Sequence, residues 1–121
     1  MRTLHELVTD QPERLLVAEW IREKILLRTR QEIPHATAVL VDNWRTREDG
    51  LVEIEATILV ERESQKAIVI GKGGALLKAI GTAARAEIER LLGGRVYLGL
   101  HVGARPHWRD DERTLHELGL R

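Results

Sequence analysis

Residues 64–92 read SQKAIVIGKGGALLKAIGTAARAEIERLL, and this stretch decides the fold. Three glycines fall within four positions, at Gly71, Gly73 and Gly74, with Lys72 among them. Before them, Ser64 to Ile70 is a short helical candidate capped by Ser64, with Ala67, Ile68 and Ile70 as apolar contacts. After them a longer helix is expected from about Gly74 to Leu92. Its buried stripe is Leu77, Ile80, Ala84, Ile88 and Leu91 at helical spacing, and Gly93 is a left-handed stop. A glycine break between two helices brings backbone close to something. Glycine has no Cβ, so a phosphate can rest on main-chain N–H groups at the positive end of the second helix. The same residues also suit a tight helix–turn–helix without a ligand.

Two nucleotide motifs are excluded. A Walker A loop needs Ser or Thr after its lysine, but Gly73 follows Lys72. A dinucleotide fingerprint needs a further glycine where Leu76 stands, and a strand before the loop.

Working outward, Leu51 to Val60 alternates Val52, Ile54 and Ala56 against Glu53, Glu55 and Thr57, which reads as a strand. Thr37 to Trp44 is β-rich, and Arg45 to Gly50 reads as the turn of a hairpin, with Asp49-Gly50 as its chemistry. One hairpin face is expected in the core and the other in solvent. Arg95 to Val102 alternates Val96, Leu98, Leu100 and Val102 against Tyr97, Gly99 and His101, and forms a third strand that Pro106 ends. Asp110 caps a last helix through Leu118, with Gly119 after it.

Upstream, Gln11 to Thr29 is a helix, with Asp10 as N-cap, Glu13 as its capping-box partner and Pro34 beyond its end. Val17, Ala18, Ile21 and Ile25 make its core face, flanked by Leu15 and Leu26. Leu16, Trp20 and Leu27 lie on another side, which either is sandwiched or meets a partner. The order is αββααβα in one domain at residues 9–121, with residues 1–8 as an N-terminal extension. The hexapeptide RTLHEL occurs at Arg2–Leu7 and again at Arg113–Leu118, too few copies for a repeat fold.

The chain has 121 residues, 19 basic and 19 acidic, with no cysteine and no phenylalanine. It suffices for one core. A disulfide framework and cysteine-ligated metals are excluded, which points to a reducing cytoplasm. Neither a membrane span nor a signal peptide is expected. Histidine spacing makes no metal site. Asp110, Asp111 and Glu112 are explained by a helix N-terminus, and Ser64 lacks a positioned base, so no catalysis is expected. Net neutrality conceals an uneven distribution. Between Ser64 and Thr82 there is no acid, yet Lys66, Lys72 and Lys78 are present, and Arg85 precedes the next acid, Glu87. A phosphate responds to the potential within roughly 8–10 Å, so a positive edge on a neutral protein can hold a polyanion.

Val69-Ile70-Gly71-x-x-Gly74 followed by Leu77, Ile80 and Gly81 resembles the helix–GXXG–helix core of a KH domain. With Ile58-Leu59-Val60-Glu61-Arg62-Glu63, Gln65-Lys66 and Trp108-Arg109-Asp110-Asp111-Glu112-Arg113, the chain from about Thr9 to Leu120 resembles the C-terminal RNA-binding domain of the Era family of bacterial GTPases. That resemblance implies an α+β, type II KH fold. Its three-stranded mixed sheet has helices packed on one face, an antiparallel hairpin, and the third strand parallel to the second. It implies single-stranded RNA near the 3′ end of 16S rRNA as partner, a role on the 30S subunit, and contact with a GTPase domain. It also implies a cytoplasmic site, peripheral at the inner membrane face. No cofactor is implied. The sequence holds no phosphate loop or magnesium-binding switch, so GTP hydrolysis is not carried over.

On this reading the N–H groups of Lys72 to Gly74 meet phosphates, aided by Lys66, Lys72 and Lys78, with Gly71 opening the loop. Bases are expected in a groove of Ile68, Ile70 and Leu76 or Leu77 beside the second strand with Ile58, their edges meeting that strand's backbone. The alternative is a protein-interaction module docking a GTPase domain or ribosomal protein through Leu16, Trp20 and Leu27, or around Trp44.

Overall fold

The computed structural model describes residues 4–29, 33 and 37–118, with side chains from residue 12 onward. The expectations at Pro34 and Gly119 lie outside the described residues. The elements run α1 (Leu4–Arg28), β1 (Ala38–Thr46), β2 (Val52–Val60), α2 (Glu63–Ile70), α3 (Ala75–Leu92), β3 (Val96–Ala104) and α4 (Glu112–Glu117), with one-turn 3-10 segments at Lys72–Gly74 and Trp108–Asp110. This is the expected αββααβα order.

The sheet order is β1-β2-β3. β1 and β2 pair antiparallel through a bulge at Asp42, and β3 runs parallel to β2 with Val52 opposite Val96. Asp49 shapes the hairpin turn by accepting the Leu51 N–H at 3.1 Å, and Gly50 takes φ +88° there. β2 is central, and alternation sends Ile54, Ala56, Ile58 and Val60 to one face, all fully buried. Val17, Ile21 and Ile25 of α1, Val69 of α2, and Ile80, Ala84 and Ile88 of α3 cover that face. Each fully buried isoleucine contributes about 1.5–3 kcal/mol of transfer free energy.

The opposite face is mostly polar. Arg45 pairs with Glu53 at 3.3 Å, His101 Nε2 meets Glu55 at 2.9 Å, and the Thr57 hydroxyl donates to Asp42 at 2.6 Å. One corner departs from the expected solvent face. Leu59 is only 2 % exposed because Trp108 and Leu118 fold over it, with Ala38 alongside. Helices α1 to α3 therefore share one face, while the C-terminal segment clasps the other.

Three caps differ from expectation. Asp10 lies inside α1, which runs through Pro12 to Arg28. Leu4, Glu6 and Leu7 are good helix formers and carry the helix upstream of the local capping-box pattern. Ser64 lies within α2, whose cap position is Arg62. The Gln65 amide oxygen accepts the N–H groups of Glu61 and Arg62, at 3.1 and 3.0 Å, and supplies the capping. Asp110 closes the 3-10 turn, and Asp111 is the cap of α4. The Thr114 hydroxyl donates to Asp111 at 2.6 Å and itself accepts from Arg105 at 2.8 Å. In α3, Leu91 is 45 % exposed instead of buried, because it lies in the last turn beyond the reach of the sheet; Leu92 packs on the core in its place.

Candidate nucleic-acid interface

The chain between α2 and α3 turns on its glycines. Gly71, Gly73 and Gly74 have φ of +77°, +61° and +78°, a region costly for side chains with a Cβ. Gly71 N–H donates to the Ala67 carbonyl at 3.0 Å, ending α2. Gly74 N–H donates back to the Gly71 carbonyl at 3.1 Å, and Ala75 N–H to that of Lys72. Gly74's N–H is thus used inside the loop, which corrects the expectation that it meets a phosphate. Among the described residues nothing accepts from the N–H groups of Lys72 and Gly73, both exposed at the tip.

From this loop a groove of about 490 Å³ runs between α3 and β3. Its helical wall is Gly74, Leu77, Lys78, Gly81, Thr82 and Arg85. Those positions recur every three or four residues, one stripe of a helix. Leu98 and Leu100 of β3 form the apolar floor. Helix and strand approach closely at Gly81, where a Cβ would lie 3.5 Å from Leu100 Cδ1.

The strand wall is β3, and this corrects the expectation of the second strand. β2 is central, so its backbone groups are committed to ladders on both sides, and Ile58 is 0 % exposed. β3 is an edge. Val52 N–H donates to the Arg95 carbonyl, and Arg105 N–H donates to that of Val60 at 2.8 Å, so the odd-numbered residues of β3 face β2. Alternation turns the N–H and C=O groups of Leu98, Leu100 and Val102 to the open edge. At the edge's start, Val96 N–H donates to Glu89 Oε2 at 2.9 Å.

Electrostatics favour an anion here. None of Lys66, Lys72, Lys78 and Arg85 makes an ion pair among the described residues. Some cations elsewhere are matched, as in Lys24 with Glu23 at 2.9 Å and Glu87 at 3.0 Å, or Arg109 with Glu61.

Of the residues expected at the site, Gly74, Leu77 and Lys78 line the groove. Gly71, Lys72 and Gly73 form the loop at its mouth. Lys66, Ile68 and Ile70 stand on α2 outside the groove lining, and Ile68 is 51 % exposed. Leu76 and Leu77 both pack partly buried against the core, and of the two Leu77 also lines the groove. Gly81, Thr82, Arg85, Leu98 and Leu100 were not among the expected site residues. Helical spacing from Gly74 finds the first three, and alternation in β3 finds the other two.

The chain is 59% identical over 115 residues to a GTPase Era of Geobacter metallireducens, covering 94% of this chain and 39% of that protein. It is 49% identical over 116 residues to one of Ruminiclostridium cellulolyticum, covering 96% and 39%. The chain thus spans about two-fifths of the length of the curated relatives it matches. Among solved structures, an Aquifex aeolicus Era variant bound to GDP and aluminium fluoride superposes with a TM-score of 0.83 at 40% identity, covering 88% of this chain and 36% of that one. An Era in complex with magnesium GDPNP and nucleotides 1506–1542 of 16S ribosomal RNA superposes at 0.84, with 40% identity and the same coverages of 88% and 36%. The family model of the KH domain matches residues 32–109, which include the whole sheet, the glycine loop and both helices around it; this chain belongs to the KH-domain family.

Proposed function

We propose that this chain binds single-stranded RNA in the groove between α3 and β3, by recognition and without catalysis. The observation that carries the reading is the joining of three features in one groove. A glycine loop leaves the Lys72 and Gly73 N–H groups available, an open strand edge presents Leu98 to Val102, and Lys78 and Arg85 have no ion pair among the described residues. KH domains clamp about four nucleotides on such a loop. Phosphates rest on the loop N–H groups and the cations. Bases lie on Leu77, Leu98 and Leu100, their edges meeting the β3 backbone. Lys66 and Lys72 add local potential, and exposed Ile68 with half-buried Ile70 extends apolar surface beside the loop.

The RNA is the 3′ region of 16S rRNA on the 30S subunit. This assignment draws on the Era structure that holds nucleotides 1506–1542 and on the 40% identity to it. The RNA-binding unit is residues 9–121, working beside a GTPase domain as in the relatives, in the cytoplasm. The test is chemical-shift mapping with short RNAs from that region. Shifts along Lys72–Gly74, Gly81–Arg85 and Leu98–Val102 are expected; shifts confined to α1 exclude the assignment.

A second reading keeps one observation of its own. Leu27 is 72 % and Leu16 40 % exposed on α1, away from the groove, and this side suits a protein partner.

A further inference from the structure

We infer that Gly81 serves the ligand and not the fold: its missing side chain lets one nucleobase lie against the backbone of α3, an inference that rests on the RNA-binding reading above. Gly81 is thereby a specificity-determining residue of the groove.

The fold gives this glycine no reason. Gly81 lies in the middle of α3 and is the single glycine inside that helix, where it weakens the helix relative to alanine. The same helix uses alanine freely, at Ala75, Ala79, Ala83, Ala84 and Ala86. Gly71, Gly73, Gly74 and Gly93 have positive φ and Gly81 does not, so no backbone conformation calls for glycine there. Packing does not call for it either. A Cβ at Gly71 would stand 2.9 Å from the Leu76 backbone nitrogen, and the chain would have to move. The nearest atom to a Cβ at Gly81 is Leu100 Cδ1, at 3.5 Å. That is an ordinary van der Waals separation from the terminal methyl of a side chain. Alanine therefore fits at this position without strain.

The groove supplies the reason that the fold lacks. Gly81 lines it one helical turn after Leu77 and Lys78 and one turn before Arg85. A Cβ there would point towards Leu100, which with Leu98 makes the apolar floor. A methyl group would thus stand inside the groove, between the helix wall and the floor. Without it, the bare backbone of α3 is open to a flat ring seated on Leu98 and Leu100, in dispersion contact across its face. Phosphates on this wall meet Lys78 and Arg85, a turn away on either side. Gly81 offers neither a charge nor a side-chain donor, so its neighbour is a base.

The experiment is fluorescence anisotropy of the full chain, Gly81→Ala and Gly81→Ser. The probe is a single-stranded RNA from the 16S 3′ region that spans the groove, with copies of it that each lack one base. Melting temperatures are measured alongside. Gly81→Ala is expected to melt a few degrees higher, because alanine favours the helix. It is nevertheless expected to bind about tenfold more weakly. Serine is close to alanine in size but a poorer helix former. Gly81→Ser should lose binding to a similar extent while gaining less in melting temperature. In wild type, removing the base that seats at Gly81 is expected to weaken binding about tenfold. In Gly81→Ala the same removal has little effect, because that base is already displaced, and the two losses are therefore not additive. Unchanged affinity in Gly81→Ala, a lowered melting temperature, a loss absent from Gly81→Ser, or additive losses at every base overturns the role of Gly81 and leaves RNA binding standing. A wild-type chain that does not bind the intact RNA overturns the RNA-binding reading and this inference with it.

Discussion

Gly71 lies directly against Leu76: a Cβ built on Gly71 would stand 2.7 Å from Leu76 Cβ and 2.9 Å from its backbone nitrogen. The first turn of α3 thus packs on the backbone where α2 ends. Gly71→Ala meets both this clash and a φ of +77°. A loss of about 1–3 kcal/mol in urea unfolding is expected, with weakened RNA binding because the loop must move.

The loop tip behaves differently. A Cβ at Gly73 has nothing within 4 Å, and its φ of +61° lies in the left-handed region that aspartate tolerates better than most residues. The double substitution Lys72→Asp with Gly73→Asp places two negative charges where phosphates are to lie. Loss of RNA binding with a melting temperature lowered by only a few degrees is expected. Unchanged affinity in the anisotropy titration rejects the loop as the phosphate site.

Arg85 and Ile58 separate the groove from the core. Arg85→Ala is expected to reduce RNA affinity about tenfold and to lower the salt slope, with stability nearly unchanged. Ile58→Ala removes a fully buried side chain from the central strand and is expected to cost about 2–5 kcal/mol of stability. Binding by the fraction of Ile58→Ala still folded should match wild type.

Acid should loosen the C-terminal clasp. The Thr114 hydroxyl hydrogen bond, then the N–H groups of Arg113 and Thr114 and the charge of Arg105, hold the Asp111 carboxyl below its ordinary 3.8. The folded value lies beneath the unfolded one, so Asp111 stabilises above about pH 4 and that contribution is lost as pH falls through the depressed value. The Trp108 indole resonance is expected to shift below pH 4 in wild type. In Asp111→Asn the part of that dependence due to this carboxyl disappears.

Trp20 tests the second reading. It packs partly buried against the core beside exposed Leu16 and Leu27. Trp20→Ala is expected to cost about 2 kcal/mol of stability. RNA affinity below the melting temperature should stay within about twofold. A tenfold loss would place the ligand on α1 instead.

Much of the site was legible because its signals are local. The GXXG loop needs glycines where φ is positive, and that requirement is written in three glycines within four consecutive letters of the sequence. The acid-free run from Ser64 to Arg85 showed which side is positive. The caps were misread because Asp10, Ser64 and Asp110 each match a short pattern that the chain satisfies elsewhere. Asp111 is chosen over Asp110 since burying Trp108 winds Trp108–Asp110 into a 3-10 turn first. Gln65, at the third helical position where a capping box places Glu or Gln, does the capping at α2 from inside the helix.

Sequence alone determined the order of elements, the buried periodicity of Ile21, Ile54 and Ile80, and the glycine loop, because each depends on the period or conformational freedom of neighbouring residues. Only tertiary structure decided which strand borders the groove. That depends on which edge of the sheet stays unpaired, and residues 52–60 and 96–104 carry no local mark of it. Placing β2 in the middle removed Ile58 from the site. Placing β3 at the edge made Leu98 and Leu100 the groove floor, with Leu100 against Gly81, and set Glu89 on Val96.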